Sequence, residues 1–392
     1  MKPHLKKSDP QIYKLIKTEE KRQKEKINLI ASENVVSKSV LEALGSVFTN
    51  KYSEGYPGAR YYGGNQFADK LEKICQERAL KLFKLPSKKW SVNVQPYSGS
   101  PANLAVYLAL VPLNEKIMGM RLDMGGHLTH GHKASATGKL WKQIPYGVDE
   151  KTEQLNYDEI LQIAKKEKPR LIICGYTAYS RIIDFKKFRK IADSVGAILI
   201  VDMSHFAGLV AGGVYPSPFK YADVVTTTTH KTLRGPRAAL IFSKKEFSAA
   251  IDKTVFPGLQ GGPHMNQIAA VATTLKEAAK LEFKGYSRQV VKNAKTMADE
   301  LKKLGWRIIS NGTDTHLFLV DTWQKGISGK IAEAALEKAG IIVNKNTIPF
   351  DKRNPADPSG IRIGTPAITT RGFKEKDVKK IAVKIDKVLK MC

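Results

Sequence analysis

Short apolar strands that alternate with amphipathic helices through the middle of the chain constrain its fold more than any other feature. The pattern predicts helices at 157–167 and 185–195 and strands at 170–174, 197–201, 223–229 and 238–242. The strands are rich in β-branched residues, which is typical of a buried pleated sheet. Alternation of this kind predicts an α/β protein with a mostly parallel sheet and helices on both of its faces.

Two of these strands end next to candidate catalytic side chains. The third strand runs into His230 and Lys231, and the second ends in Asp202 with His205 close behind. Open α/β sheets bind ligands beyond the carboxyl ends of their strands. Pyridoxal phosphate requires a lysine that forms a Schiff base and a carboxylate that keeps the pyridine nitrogen protonated. The alternative is a surface lysine after an edge strand, which the strand-end Asp202 and the adjacent histidine disfavour.

Composition sets the broad class of protein. The 392 residues suffice for two or three domains, and the longest apolar runs are too short to cross a membrane. The N-terminus has no apolar secretory core. Three scattered cysteines, Cys75, Cys174 and Cys392, argue against a disulfide framework or a zinc site. We therefore expect a cytoplasmic protein that does not enter a membrane.

The formal net charge of +28 allows two interpretations. A basic surface attracts nucleic acid. However, lysines outnumber arginines here and are spread along the chain, whereas readers of phosphates and bases are mostly arginines. A lysine-biased surface is therefore favoured over dedicated nucleic-acid binding, and it would still attract anionic substrates.

The chain divides into three predicted parts. Residues 1–50 form a helical arm, because the helix predicted at 8–26 is too polar to stand alone and should lie on another surface, such as a partner subunit. Residues 51–280 form the large sheet domain. A helical run at 264–304 leads out of it into a smaller α+β domain at 281–392.

Three glycine-rich segments are candidate binding loops. Residues 50–64 place four tyrosines around Glu54. The turn at 98–100 lies between a predicted strand and a predicted helix, where free backbone amides bind phosphate. The segment 256–263 is a candidate second phosphate contact.

A fourth glycine-rich segment, at 119–133, holds His127, His130 and His132. A metal site is one interpretation, since imidazole is a common ligand. No carboxylate or cysteine completes a ligand set at an obvious spacing, so we predict no metal. A histidine stacked on a flat cofactor is the interpretation that we favour.

Arg362 lies inside an apolar strand, where an unpaired charge is costly. A substrate carboxylate that accepts two parallel hydrogen bonds is its natural partner. The alternative is an internal salt bridge.

These segments together resemble the serine hydroxymethyltransferase family, a group of fold type I pyridoxal-phosphate enzymes. The matching stretches are LIASEN, NKYSEGYPGARYYGG, VQPYSGSPAN, GGHLTHG, VDMSH, VVTTTTHKTLRGPR, FPGLQGGP, GTDTHLFLVD, NKNTIP and SGIRIGTPAITTRGF, which cover nearly the whole chain. The resemblance implies an aspartate-aminotransferase-like large domain with an N-terminal arm and a smaller C-terminal domain. It also implies reversible transfer of the serine hydroxymethyl carbon to tetrahydrofolate, which leaves glycine, in a homodimer or larger assembly.

The resemblance further implies a role for individual residues around pyridoxal phosphate. Lys231 would carry the cofactor as an imine, and Asp202 would pair with its ring nitrogen. Expected around the ring are His127, Thr177 and His205. Expected at the phosphate are Ser98, Gly99 and Ser100, with Gly261 and Gly262 from the neighbouring subunit.

Other residues would handle the substrates. Glu54 would transfer protons and, with Tyr52 and Tyr62, would project from one subunit into the site of the other. Expected to shape the pocket are Thr228, His230 and Arg237. Expected to bind the substrate carboxylate are Ser32 and Arg362. Expected at tetrahydrofolate are Leu122, Gly126, Leu128 and Asn346, and near them Phe350 stands where the family commonly has a more polar residue.

Two rival functions remain at this point. Another fold type I enzyme, such as a threonine or allo-threonine aldolase, would share Lys231, Asp202 and Arg362 but would need no folate loop. A nucleic-acid-binding protein without catalysis would explain the charge, but it would not need an intact set of active-site residues.

Overall fold

The computed structural model describes residues 3–392 of the chain. The helices are α1 Pro3–Ser8, α2 Pro10–Glu25, α3 Lys38–Leu44, α4 Gln66–Leu82, α5 Gly99–Leu110, α6 Ala136–Leu140, α7 Tyr157–Glu167, α8 Phe185–Val195, α9 Ala207–Ala211, α10 Lys245–Lys253, α11 Met265–Ala278, α12 Leu281–Lys303, α13 Gly329–Lys338, α14 Pro366–Thr370 and α15 Glu375–Leu389. The strands are β1 Ile27–Asn28, β2 Gly55–Tyr56, β3 Ala59–Arg60, β4 Trp90–Asn93, β5 Lys116–Met120, β6 Lys142–Tyr146, β7 Leu171–Gly175, β8 Ile198–Asp202, β9 Val224–Thr228, β10 Ala239–Lys244, β11 Arg307–Ile308, β12 Leu317–Asp321, β13 Ile341–Ile342, β14 Asn344–Asn346 and β15 Gly360–Gly364.

A seven-stranded sheet in the order β4-β10-β9-β8-β7-β5-β6 forms the centre of the molecule. The pairs from β6 to β9 are parallel, and β10 and β4 are antiparallel to their neighbours. The predicted α/β class with a mostly parallel sheet is therefore confirmed. Gly175 pairs with Asp202, and Asp202 pairs with Thr226, so the carboxyl ends of β7, β8 and β9 lie side by side.

Helix α8 precedes β8 and shows how the local sequence positions the end of this strand. The Asp184 side chain accepts a 3.0 Å hydrogen bond from the Lys187 backbone N–H and so caps the first turn. The apolar side chains of the helix form one buried stripe. Gly196 ends the helix at φ 66°, a conformation that glycine adopts without strain. The chain then passes into β8, which carries Asp202 to the edge of the sheet.

A smaller antiparallel sheet in the order β11-β12-β15-β14 follows in the sequence. It has its own buried cluster, built mainly from α12, α13, α15 and the strands, and this cluster includes Leu29 from the N-terminal part. β1 also pairs in parallel with β13, where Ile27 lies opposite Ile341. The N-terminal segment is thus packed on the C-terminal part of the same chain, and the division at 50 and 280 stays a prediction.

The helical run predicted at 264–304 is wrong in one detail. It is two helices, because α11 ends at Ala278 and α12 begins at Leu281. Among residues 3–392, none of the helices is both long and apolar enough to span a membrane.

Candidate active site

One cavity lies at the carboxyl ends of β7, β8 and β9, and we call it the lysine cavity. Its volume is about 130 Å³, and it is lined by Ser98, Gly99, Ser100, Asn103, His127, Tyr176, Thr177, Asp202, Ser204, His205, Thr228, His230, Lys231 and Arg237. Most of the residues that the sequence places around a cofactor are therefore brought together.

Lys231 reaches this cavity from the loop after β9. Its Nζ donates a 2.9 Å hydrogen bond to Thr228 Oγ1, at the last residue of the strand. Burial lowers the pKa of the Lys231 ammonium to about 8, although the charge of Asp202 opposes this shift. A larger fraction of the amine is therefore uncharged near neutral pH, and the uncharged amine is the nucleophilic form.

Asp202 ends β8 and is held by neutral donors as well as by a histidine. Asn103 Nδ2 donates to its Oδ2 at 2.9 Å, the Ser204 backbone N–H donates to its Oδ1 at 3.0 Å, and His130 Nε2 lies 3.3 Å from Oδ2. Burial is the largest single influence and raises the pKa of this carboxyl, but the hydrogen bonds and charges of its neighbours, led by His130, together hold the pKa well below its ordinary value. The carboxylate is therefore ionised, and it is available to stabilise a positive charge in the cavity.

The N-terminus of α5 lies at the same cavity, because Ser98, Gly99 and Ser100 are among the lining residues. Ser98 is the N-cap residue, and its side chain does not cap the helix. A Cβ at Gly99 would lie 2.7 Å from Thr228 Cγ2, so glycine is required for the helix to approach β9 this closely. Free amides and the helix dipole make this turn a site for an anion.

His127 is a neutral ring at the wall of the cavity. Burial is the main cause that lowers its pKa to about 4. The Thr129 backbone N–H donates to His127 Nδ1 at 3.2 Å, so Nδ1 is the acceptor and Nε2 carries the proton. A flat, uncharged imidazole suits contact with an aromatic ring.

His205 lies deeper and contacts a second histidine. Its Nδ1 is 3.2 Å from His316 Nε2, and the two rings stack with centroids 5.4 Å apart. Burial lowers the pKa of His205 well below its ordinary value and that of His316 to about 3. Both rings are therefore neutral, so that one nitrogen donates to the other.

Three residues that line the cavity each have a buried polar atom with no hydrogen-bond partner among residues 3–392. The atoms are Tyr176 OH, Thr177 Oγ1 and His230 Nδ1. Buried polar groups are nearly always paired, so unpaired ones in a cavity indicate that a polar ligand completes them.

Arg362 lies beside the wall of the cavity on β15. Its Nη1 donates to the Thr177 carbonyl at 2.8 Å and its Nε donates to Asn344 Oδ1 at 3.0 Å. The residue is 7% exposed, and burial lowers the pKa of the guanidinium to about 10. Among residues 3–392 it makes no salt bridge, so the internal ion pair left open by the sequence does not occur there. A buried guanidinium with neutral acceptors alone can bind a carboxylate.

Ser32 is carried towards β15 by the segment that follows β1. The Gly364 backbone N–H donates to the Leu29 carbonyl at 2.8 Å. A Cβ at Gly364 would lie 2.4 Å from Ala31 Cα, so the two segments are in close contact next to Ser32. Ser32 and Arg362 are the residues expected from the sequence to bind a substrate carboxylate, and we call this pair the carboxylate clamp.

The residues expected from a partner subunit form a separate group, the tyrosine cluster, made of Tyr52, Glu54, Tyr62, Gly261 and Gly262. Tyr52 OH donates to Glu54 Oε1 at 3.3 Å, and the Tyr52 and Tyr62 rings meet edge to face at 5.1 Å. Glu54 Oε1 lies 3.2 Å from where a Cβ at Gly261 would be. None of the five lines the lysine cavity of the described chain.

The residues expected at tetrahydrofolate also lie outside the lining of the lysine cavity. Leu122 begins a short turn, and Gly126 packs so closely that a Cβ there would lie 2.0 Å from Met120 O. Leu128 is 45% exposed, and Asn346 ends β14 opposite Gly360. Their role in binding tetrahydrofolate stays a prediction.

Sequence reasoning missed several residues of the site. Asn103 also accepts a 2.7 Å hydrogen bond from Thr226 Oγ1, so it connects β9 to Asp202. Its signal in the sequence was a lone amide on an otherwise apolar helix. His130 was noticed, but its contact with Asp202 was not expected. Among residues 3–392 there is no group of three or more His, Cys, Asp or Glu side chains arranged to hold a metal ion.

The mostly parallel sheet and the lysine–aspartate pair at its carboxyl edge define the class of aspartate-aminotransferase-like, fold type I enzymes. The sequence model of the family described as Serine hydroxymethyltransferase matches residues 5–385.

Curated proteins of the same name are similar over nearly the whole chain. Those from Koribacter versatilis (strain Ellin345), Desulfotalea psychrophila (strain LSv54 / DSM 12343) and Acidothermus cellulolyticus (strain ATCC 43068 / DSM 8971 / 11B) are 55%, 56% and 54% identical. The alignments cover 100%, 98% and 97% of this chain and 91%, 89% and 88% of the relatives. The chain belongs to the serine hydroxymethyltransferase family, which confirms the resemblance in its motifs and favours it over an aldolase.

Proposed function

We propose that the protein transfers the hydroxymethyl carbon of serine reversibly to tetrahydrofolate, giving glycine and 5,10-methylenetetrahydrofolate, with pyridoxal phosphate as its cofactor. One observation carries the proposal. Lys231, Asp202 and the N-terminus of α5 converge on one cavity, and the buried Arg362, which makes no salt bridge within residues 3–392, lies against its wall. Membership of the family supports the choice of reaction.

The cavity fits pyridoxal phosphate group by group. Lys231 would bind it covalently, Asp202 would face its ring nitrogen, and the turn at 98–100 would take its phosphate. The unpaired Thr177 Oγ1 and His230 Nδ1 offer polar contacts, and the neutral His127 offers a flat face. When bound, the cofactor supplies a ring that accepts electrons from the bonds at the substrate α-carbon.

The protein groups prepare this chemistry electrostatically. Asp202 remains ionised in a buried site and so would keep the ring nitrogen of the bound cofactor protonated. Lys231, with its pKa lowered to about 8, can give up its proton and take one back near neutral pH. The carboxylate clamp would fix the amino-acid carboxylate, which orients the bond to be broken.

We also propose a homodimer in which the tyrosine cluster of each subunit completes the lysine cavity of the other. Two facts support this. Tyr52, Tyr61 and Tyr62 are exposed at 56%, 74% and 52%. Glu54 has Tyr52 as its one side-chain hydrogen-bond partner among the described residues. In that role Glu54 would move a proton to or from the substrate.

Tetrahydrofolate would bind beside Leu122, Gly126, Leu128 and Asn346. Phe350 is 39% exposed with φ 61°, an uncommon conformation for a bulky residue, and we propose that its ring lies at the edge of this site. We propose a cytoplasmic location as well, which the reduced, buried Cys75 and Cys174 support.

An absorbance spectrum of the purified protein tests the function. Glycine and tetrahydrofolate together should produce a long-wavelength band that glycine alone gives only weakly. Borohydride reduction followed by mass spectrometry should place the mass of the cofactor on Lys231. A spectrum of the glycine complex that does not change when tetrahydrofolate is added would favour another fold type I enzyme. Absence of the cofactor mass from Lys231 would overturn the proposal. Binding of nucleic acid that persists at physiological salt would instead support the nucleic-acid-binding function that the basic charge suggests.

A further inference from the structure

Asn34 has a side-chain amide that is fully hydrogen-bonded at a junction of four segments. Its Nδ2 donates to the Lys231 carbonyl at 2.9 Å and to Tyr286 OH at 2.7 Å. Its Oδ1 accepts from the Val35 backbone N–H at 2.9 Å and from Thr370 Oγ1 at 2.7 Å. Both donors and both acceptor positions of the amide are therefore in use.

The contact with the Lys231 carbonyl is part of a set that fixes the loop after β9. Tyr286 OH donates to the Thr232 carbonyl at 3.3 Å, and Thr232 Oγ1 donates to the His205 carbonyl at 2.8 Å. A Cβ at Gly208 would lie 2.1 Å from Thr232 O, so α9 packs directly on this loop. Asn34 is the member of the set that bonds the backbone of the lysine itself.

The other contacts of Asn34 lead to the carboxylate clamp. Asn34 follows Ser32 by two residues, in the segment that packs on Gly364. Thr370 ends α14, the helix that follows Arg362 and its strand β15. One amide therefore joins the lysine backbone to both segments that supply the clamp.

We propose that Asn34 is a positioning residue that fixes the position of the Lys231 backbone relative to the carboxylate clamp. The inference rests on the proposed function. A substrate bound by its carboxylate presents its amino group at a fixed place, and Lys231 must reach that place through a flexible side chain. A backbone fixed relative to the clamp removes part of that freedom, and a misplacement of 1 Å can cost about 10²-fold in rate.

The sharpest variant is Asn34→Asp. The aspartate keeps the oxygen that accepts from Val35 and Thr370 but loses both N–H donors to Lys231 and Tyr286. Asn293→Asp is a matched control, because Asn293 Nδ2 donates at 2.9 Å to Thr369 Oγ1 and at 2.9 Å to the Phe373 carbonyl. It is buried and holds the neighbouring residue of α14, but neither contact involves the lysine loop.

Two measurements test the inference, and the first of them does not depend on catalytic turnover. In cofactor-free protein, we expect Asn34→Asp to slow the covalent capture of pyridoxal phosphate by Lys231, read by borohydride trapping and peptide mass, about tenfold relative to Asn293→Asp. In the loaded enzyme, we expect its kcat with serine to fall roughly 10- to 100-fold relative to the same control. Because Asn293 is fully buried and Asn34 only partly, the thermal unfolding midpoint of Asn34→Asp should fall no further than that of the control.

Equal losses in the two variants would show a structural role for Asn34 and overturn the inference. If Asn34→Asp does not fold, Tyr286→Phe decides: slower capture by Lys231 supports the inference, and unchanged capture overturns it. The proposed function fails separately, if the wild-type protein shows no cofactor mass on Lys231.

Discussion

The lysine cavity and the tyrosine cluster hold the two sets of residues expected to react, yet they differ in how the chain surrounds them. In the lysine cavity, Lys231 and Asp202 are each fixed by named donors or acceptors, and burial lowers the pKa of the lysine. In the tyrosine cluster, the Glu54 side chain makes one hydrogen bond among residues 3–392, a long one of 3.3 Å to an exposed tyrosine.

The difference shows which part of the site one chain can complete. A buried charge costs several kcal/mol unless it is paired, so the lysine cavity needs its donors whether or not a partner is present. A carboxylate on an exposed surface has no such cost. It acquires a distinctive environment only when a second surface covers it, and this is the environment that our proposed dimer provides.

The largest effect is expected for Lys231→Ala, which removes the only covalent attachment point in the proposal. The visible absorbance of the bound cofactor and the turnover of serine should both be lost. Lys244→Ala is a suitable control, since Lys244 ends the adjacent strand and pairs with Asp223 at 2.6 Å outside the cavity. A near-native absorbance band in Lys231→Ala would remove this lysine from its role.

The next largest effect concerns the tyrosine cluster. Glu54→Gln keeps the shape of the side chain but cannot exchange a proton, so folate-dependent cleavage of serine should slow by about 10²- to 10⁴-fold. Capture of the cofactor by Lys231 should be unchanged, because the residues proposed to bind the cofactor line the lysine cavity and remain intact, whereas Glu54 is proposed to act on the substrate. Steady-state kinetics and the trapped peptide mass measure the two effects.

Mixed subunits sharpen this comparison. When equal amounts of Lys231→Ala and Glu54→Gln subunits are refolded together, about half of the dimers should contain one subunit of each kind. If each site takes Lys231 from one subunit and Glu54 from the other, every such heterodimer has one site in which both groups are intact. About a quarter of wild-type activity should then return. If both groups act within one chain, no site in the mixture is intact and activity should stay at the level of the inactive parents.

A smaller effect is expected for Arg362→Ala. Loss of a buried partner for a carboxylate costs about 2–5 kcal/mol, so the affinity for serine should fall by roughly 30-fold or more. Arg362→Lys should recover only part of it, because an ammonium cannot make the two parallel hydrogen bonds of a guanidinium. Cofactor affinity, measured by absorbance titration, should change little. An unchanged affinity for serine would contradict the clamp.

The sequence predicted the sheet and the strand-end residues because their signals are local. Runs of β-branched residues and the polar residues that follow them are adjacent in the chain, and parallel strands bring their ends together. The partners of these residues are not adjacent. Asn103 and Asp202 are 99 positions apart, and Asn34 and Lys231 are 197 positions apart. The break between α11 and α12 also carries no glycine or proline to mark it.

The smallest effect concerns His316, a buried histidine behind the lysine cavity, and its contribution to the free energy of unfolding. Burial lowers the pKa of His316 to about 3, whereas an unfolded chain binds this proton near pH 6.5. Between these values the unfolded state holds more protons, so the free energy of unfolding should fall as the pH falls. This one group contributes up to ~1.4 kcal/mol per pH unit. Urea titrations of His316→Gln should therefore show a shallower loss of stability between pH 6 and pH 4 than the wild type. Between pH 7 and pH 8 the ring is neutral in both states, so the two proteins should give parallel curves. Parallel curves at the lower pH as well would mean that His316 is protonated in the folded protein.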